Sequence, residues 1–95
     1  MSVFKSEEVS RALKRKGFAV HAATHHVYYQ FVYEGVETNV GTFMSHNSQD
    51  INAHLQSSMA RQIGLQVREF QDLIRCPLSH EKLYEILVDR GLIEL

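Results

Sequence analysis

One cysteine, Cys76, is too few for an intrachain disulfide, and that scarcity fits a reducing compartment such as the cytoplasm. No apolar run approaches the roughly 18 residues that a membrane-spanning helix needs, so no membrane contact is expected. Met1-Ser2-Val3-Phe4-Lys5 has no long apolar region behind it, so no secretory signal is expected either. Low-complexity stretches and internal repeats are missing, which leaves out disordered tails and solenoids. An excess of either charge is missing too: ten Lys and Arg face eleven Asp and Glu, a formal net charge of −1. Proteins that grip duplex nucleic acid by its phosphates are usually far more basic. No Cys-x-x-Cys pair occurs, and no His-x-x-x-His pair falls on a helical stretch. The six histidines therefore do not spell a metal site, and no metal or cofactor is expected.

What is present is enough for one domain. Ninety-five residues, 44% hydrophobic and 22% charged, support a single modest core. The charges are unevenly placed. Residues 1–17 are net positive because Arg11, Lys14, Arg15 and Lys16 crowd together, while residues 76–95 are net negative.

The periodicity predicts a helix over residues 7–16, capped by Ser6, with Glu7 and Glu8 in its first turn and Gly17 at its end. The basic cluster then fills the last turns, where cations suit the helix dipole. Phe18-Ala19-Val20 reads as a short strand. Two further strands, residues 26–33 and 36–43, flank a two-residue turn at Glu34-Gly35. Pairing Tyr33 with Val36 puts those two with Val27, Tyr29, Phe31, Thr38, Val40 and Thr42 on one apolar face. It puts His26 opposite Phe43, Tyr28 opposite Gly41 and Gln30 opposite Asn39 on the other. A second helix is expected over residues 50–63, capped by Ser48 or Asp50 and closed by Gly64. A short third helix follows from Val67 to Ile74. Pro77 breaks the chain, with Cys76 read as a partly buried thiol at that boundary. Ser79 caps a fourth helix, ended by Gly91, and residues 92–95 form a last strand or a docked tail. The expected architecture is α+β: a three-stranded antiparallel sheet with helices packed on one face, residues 1–75, and a C-terminal helical extension of the same domain, residues 76–95.

The order of motifs is similar to one family. A leading amphipathic helix ends in Lys16-Gly17-Phe18, and His25-His26-Val27-Tyr28-Tyr29 follows, then a hairpin turning at Glu34-Gly35. The second hairpin strand ends near His46, and the next helix carries Ile51, Leu55, Met59-Ala60-Arg61-Gln62-Ile63-Gly64-Leu65, with Phe70 beyond it. Over about residues 5–75 this resembles the HicA-type toxins, also described as YcfA-like proteins. Thr24-His25 stands where those toxins place a pair such as Gly-Ser, and Met44-Ser45-His46 where they place Pro-x-His. The resemblance implies a fold like the double-stranded-RNA-binding domain, α-β-β-β-α, with metal-independent cleavage of messenger RNA and neutralisation by a HicB-like antitoxin.

Cleavage of RNA without a metal needs a base for the ribose 2′-hydroxyl, an acid for the leaving oxygen and donors for the phosphate. Histidine suits the first two roles because it titrates near neutrality. By its motif position His26 is the family's functional histidine, with His46 and His25 as the possible second. Tyr28 is placed to stack a base, and Gln30, Asn39, Lys14, Lys16 and Arg61 are the further RNA-binding candidates. The alternative is a non-catalytic module on the same fold. It would bind protein or RNA, or self-associate through the open sheet face or residues 79–90.

Overall fold

The computed structural model describes residues 3–45 and 50–93. The elements run in the order β1 (Phe4–Lys5), α1 (Ser6–Arg15), β2 (Phe18–Ala22), β3 (His26–Tyr33), β4 (Val36–Ser45), β5 (Asp50–Ile51), α2 (Ala53–Ile63), α3 (Val67–Arg75) and α4 (His80–Asp89). The fold is α+β: β2, β3 and β4 form an antiparallel sheet in that order, and four helices accompany it. No helix among the described residues is long and apolar enough to cross a membrane.

Both helix starts that move do so for one reason. Phe4 pairs with Ile51 and Lys5 with Asp50 in a second, two-stranded sheet. Lys5 also reaches Asp50 through its ammonium at 3.0 Å. Held extended, Lys5 becomes the N-cap of α1, and Ser6 is its first helical residue rather than its cap. Asp50 and Ile51 are drawn out of α2, so Asn52 takes over as cap and its side chain accepts from the Leu55 N–H at 3.0 Å. Ser48, the other expected cap, lies outside the described residues.

The remaining boundaries follow their punctuation. Gly64, at φ 97°, closes α2 in the left-handed conformation that favours glycine. Ser79 caps α4 by accepting from the Lys82 N–H at 3.1 Å. Cys76 ends α3 at φ 94° and is exposed, not partly buried; the Arg15 guanidinium donates to its sulfur at 3.3 Å. Ile93 is docked and buried behind α4, and Glu94 and Leu95 lie outside the described residues.

The hairpin turns at Glu34-Gly35, both at positive φ (51° and 79°), as a type I′ turn requires. Tyr33 pairs with Val36 and Val32 with Glu37, as expected. Beyond Val32 the register changes. Gln30 pairs with Gly41, Tyr29 with Thr42, Tyr28 with Phe43, Val27 with Met44 and His26 with Ser45. The strand β4 is therefore displaced by two residues, and a bulge at Thr38-Asn39-Val40 faces Phe31. Side chains hold the bulge: the Thr38 hydroxyl donates to Phe31 O at 2.7 Å and accepts from Val40 N–H at 3.2 Å, and the Gln30 amide donates to Thr38 O at 2.8 Å. Two residues are a whole strand period, so the shift keeps Tyr29 and Phe31 on one face and His26, Tyr28 and Phe43 on the other, while Val36, at the hairpin end, is exposed.

Tyr29, Phe31, Val40, Thr42 and Met44 point to the helices and are buried. They join Leu13 of α1, Met59 and Ile63 of α2, Phe70 and Leu73 of α3, and Leu83 and Leu87 of α4 in one core. Polar contacts fix the layers: Tyr29 hydroxyl to Ser10 of α1 at 2.8 Å, and Thr42 hydroxyl to Gln62 of α2 at 2.6 Å. The helix α4 docks at the Tyr33 end of the sheet, where Tyr84 stacks on Tyr33 with centroids 3.7 Å apart and His80 meets the Val32 carbonyl at 3.0 Å.

Candidate functional site

The face of the sheet away from the helices carries the candidate site. His26 opens β3 and is half-buried; Tyr28 and Phe43 stand out from neighbouring strands, 44% and 40% exposed. The three rings touch one another. His26 meets Phe43 edge-on at 5.0 Å between centroids, Tyr28 meets Phe43 at 5.6 Å, and His26 meets Tyr28 at 6.0 Å. The shifted register causes this. With Tyr28 directly opposite Phe43, and His26 two residues along the same face, one phenyl ring serves both neighbours. At His26 the strand pair ends in Ser45 instead of Phe43, so a hydroxyl side chain stands across from the imidazole.

The helix α4 does not reach these rings. The stripe of α4 is spent on the core, with Leu83 and Leu87 fully buried, and its contacts to the sheet lie at the Tyr33 end, seven residues along β3 from His26. On the helix side of the same corner, a cavity of about 290 Å³ reaches from His26 and Phe43 to Ile51, Leu55 and Met59. Ser6, Ser45, Ser58 and Gln62 also line it, so its wall is mixed.

The other expected site residues divide. Gln30 shares the face but is committed to the bulge through Thr38. Asn39 is exposed within the bulge and is not opposite Gln30. Gly41 faces Gln30 rather than Tyr28, and its missing side chain makes room for the Tyr29 carbonyl: a Cβ there would lie 2.6 Å from that oxygen. His25 is exposed in the bend before β3, and none of the ring contacts of His26 involves it. His46 lies outside the described residues. Lys14 is exposed on α1, on the helix side of the sheet. Arg61 is exposed on α2 and lines none of the cavities beside His26.

Lys16 is a correction. It is buried, and its ammonium donates to the carbonyls of Leu73, at 3.0 Å, and Leu78. Loss of water around it holds its pKa below the usual lysine range, partly offset by Cys76. Lys16 ties α1 to the connection between α3 and α4 and offers nothing to a phosphate. Its place at the very end of α1, next to Gly17, was the signal: the chain turns inward there.

Sequence reasoning passed over one further pair on the open face. His21 on β2 places Nε2 3.9 Å from the Glu37 carboxylate, both more than half exposed. Such a pair is loose and contributes little to stability. Among the described residues no three or more His, Cys, Asp or Glu side chains are grouped to hold a metal ion. No protein-family model, curated protein or solved structure matches this chain.

Proposed function

We propose that this chain is a HicA-like RNA-binding protein, with a fold like the double-stranded-RNA-binding domain, that takes single-stranded RNA on its open sheet face and cleaves it through His26. One observation carries the reading: His26, Tyr28 and Phe43 form a contiguous ring surface in which Tyr28 and Phe43 are exposed. Exposed rings on a sheet suit unpaired bases, because every base has a face to stack and stacking is worth about 1–3 kcal/mol per base. The order of motifs around His26 supplies the rest of the support.

In the reaction proposed, the ribose 2′-oxygen attacks the adjacent phosphorus and the bond to the 5′-oxygen breaks. His26 takes the proton from the 2′-hydroxyl or gives one to the leaving oxygen, roles an imidazole can fill with either ring nitrogen. A base stacked on Tyr28 or Phe43 would bring its own sugar-phosphate to the imidazole, so binding and positioning share the same rings.

The test is cleavage of a labelled RNA in EDTA by the parent protein and by His26→Ala. The expected result is cleavage by the parent and a loss of at least about a hundredfold in the variant, the scale of a removed acid–base group. Equal rates would show that His26 has no part in the chemistry. RNA binding without any cleavage would leave the non-catalytic module on the same fold. The exposed apolar rings also favour that second reading with a protein partner, a HicB-like antitoxin or a second copy, if RNA does not bind at all. Self-association through residues 79–90 has less to offer, since the apolar stripe of α4 is already consumed by the core.

A further inference from the structure

On the helix side of the sheet, between α1 and the ends of β3 and β4, lies a groove of about 400 Å³ that neither the core nor the ring surface explains. Its α1 wall presents Ser6, Ser10, Arg11 and Lys14, which share one side of the helix at three- and four-residue spacing. Arg11 and Lys14 have no ion-pair or hydrogen-bond partner for their side chains among the described residues. Deeper in, the Tyr29 hydroxyl donates to Ser10 Oγ at 2.8 Å, so two hydroxyls line the groove. Glu7 is the one carboxylate in the wall. The groove shares Ser6, Met44 and Ser45 with the cavity rimmed by His26 and Phe43, so the two adjoin.

We infer that this groove binds a phosphodiester of the RNA strand whose bases lie on the ring surface. The inference rests on the proposed RNA reading and deepens it by naming where the backbone goes. A guanidinium offers a phosphate two parallel donors, an ammonium adds a point charge, and a serine hydroxyl adds a neutral donor. Two unpaired cations and a serine hydroxyl in one concavity form such a set, against a single carboxylate. The chain is otherwise electrically balanced, with a net charge of −1, so a phosphate-binding surface on it must be local. Adjacency to the His26 cavity gives that surface a purpose: a backbone anchored at Arg11 and Lys14 passes the shared wall at Ser45 and presents its next nucleotides to the rings.

The experiment measures affinity for a fluorescent oligouridylate across a range of salt concentrations. The proteins are the parent chain, Arg11→Gln/Lys14→Gln, and Arg68→Gln as a control that removes an exposed charge outside the groove. The expected result is weaker binding by the double variant, with the slope of log K against log salt reduced by about 0.7 for each phosphate that the variant no longer neutralises. Arg68→Gln keeps the parental slope. Binding of RNA by the parent with an unchanged slope in the double variant overturns the groove and leaves the RNA reading intact. If the parent binds no RNA, inorganic phosphate is titrated while the amide signals of Ser10 and Lys14 are followed by NMR. Shifts that vanish in the double variant retain the groove as an anion site and reject the RNA reading; no shifts reject both. Circular dichroism of each variant, whose replaced side chains are exposed, shows that the fold is retained.

Discussion

The imidazole of His26 stands edge-on to the ring of Phe43, 5.0 Å between centroids with the planes at 90°. The imidazole packs on that ring and remains half-buried. The contact couples the acid–base candidate to the stacking surface, since Phe43 touches Tyr28 as well. Phe43→Ala is therefore expected to weaken RNA binding by about 1–2 kcal/mol, or roughly 5–30-fold. Phe43 is 40% exposed, so removing its buried part is expected to cost about 1–2 kcal/mol of stability, read separately from the thermal midpoint. Phe43→Leu, which keeps bulk without a ring, separates stacking from simple apolar cover. Parental affinity in both variants would remove the ring surface from the RNA site.

Gly41 is a packing position. Its Cβ would meet the Tyr29 carbonyl at 2.6 Å, a backbone atom that moves only if β3 and β4 separate. Gly41→Ala is expected to cost about 1–3 kcal/mol of stability, read from the urea midpoint. Gly35→Ala, with nothing within 4 Å of its Cβ, meets only the strain of its positive φ and costs about 1 kcal/mol.

Lys16 and Lys14 are two residues apart and opposite in consequence. Lys16→Met keeps the buried stem but strands the carbonyls of Leu73 and Leu78, which is expected to cost about 2–3 kcal/mol. Lys14→Met, at an exposed position, stays within about 0.5 kcal/mol. Chemical denaturation of the two variants beside the parent measures both.

The Glu69–Arg90 pair joins α3 to the end of α4, with guanidinium-to-carboxylate distances of 2.9 and 2.7 Å, and Arg90 also donates to Gly64 O at 2.9 Å. The Arg90 hydrogen bonds hold the Glu69 carboxyl below its usual range, against the opposing effect of desolvation. A carboxyl depressed in the folded state stabilises the fold above its unfolded pKa, and that contribution is lost as pH falls through the folded one. Glu69→Gln is expected to lower stability at pH 7 by about 0.5–1 kcal/mol, because the pair is partly exposed. Below the carboxylate range the variant and parent converge. A difference that persists at low pH would mean the pair works through shape instead of charge.

The elements were legible because each rests on local chemistry. Gly64 at a left-handed cap, Ser79 accepting from Lys82 and the Glu34-Gly35 turn are decided within a few residues of chain. The alternation of residues 26–33 likewise separates Tyr29 and Phe31 from His26 and Tyr28 before any partner strand is known. The start of α2 was not legible. Asp50 and Ile51 can cap and enter a helix as well as any residues, and only Phe4 and Lys5, forty-five residues away, draw them into a strand.

The site divides in the same way. That His26 and Tyr28 share a face, and that Val27, Tyr29 and Phe31 do not, follows from a period of two and holds in any register of the right parity. Which residue stands opposite which is a tertiary matter. Thr38 and Gln30 satisfy backbone groups at the bulge, and this moves β4 by two residues, sets Phe43 across from Tyr28 and brings Ser45 to His26. The fate of the basic cluster is tertiary as well. Arg11, Lys14 and Lys16 are equivalent as letters, but helix geometry leaves the first two in an open groove and turns the third under α3. Local propensity and periodicity belong to the sequence. Register and burial come from long-range contacts that satisfy particular donors and acceptors, and a linear pattern does not contain them.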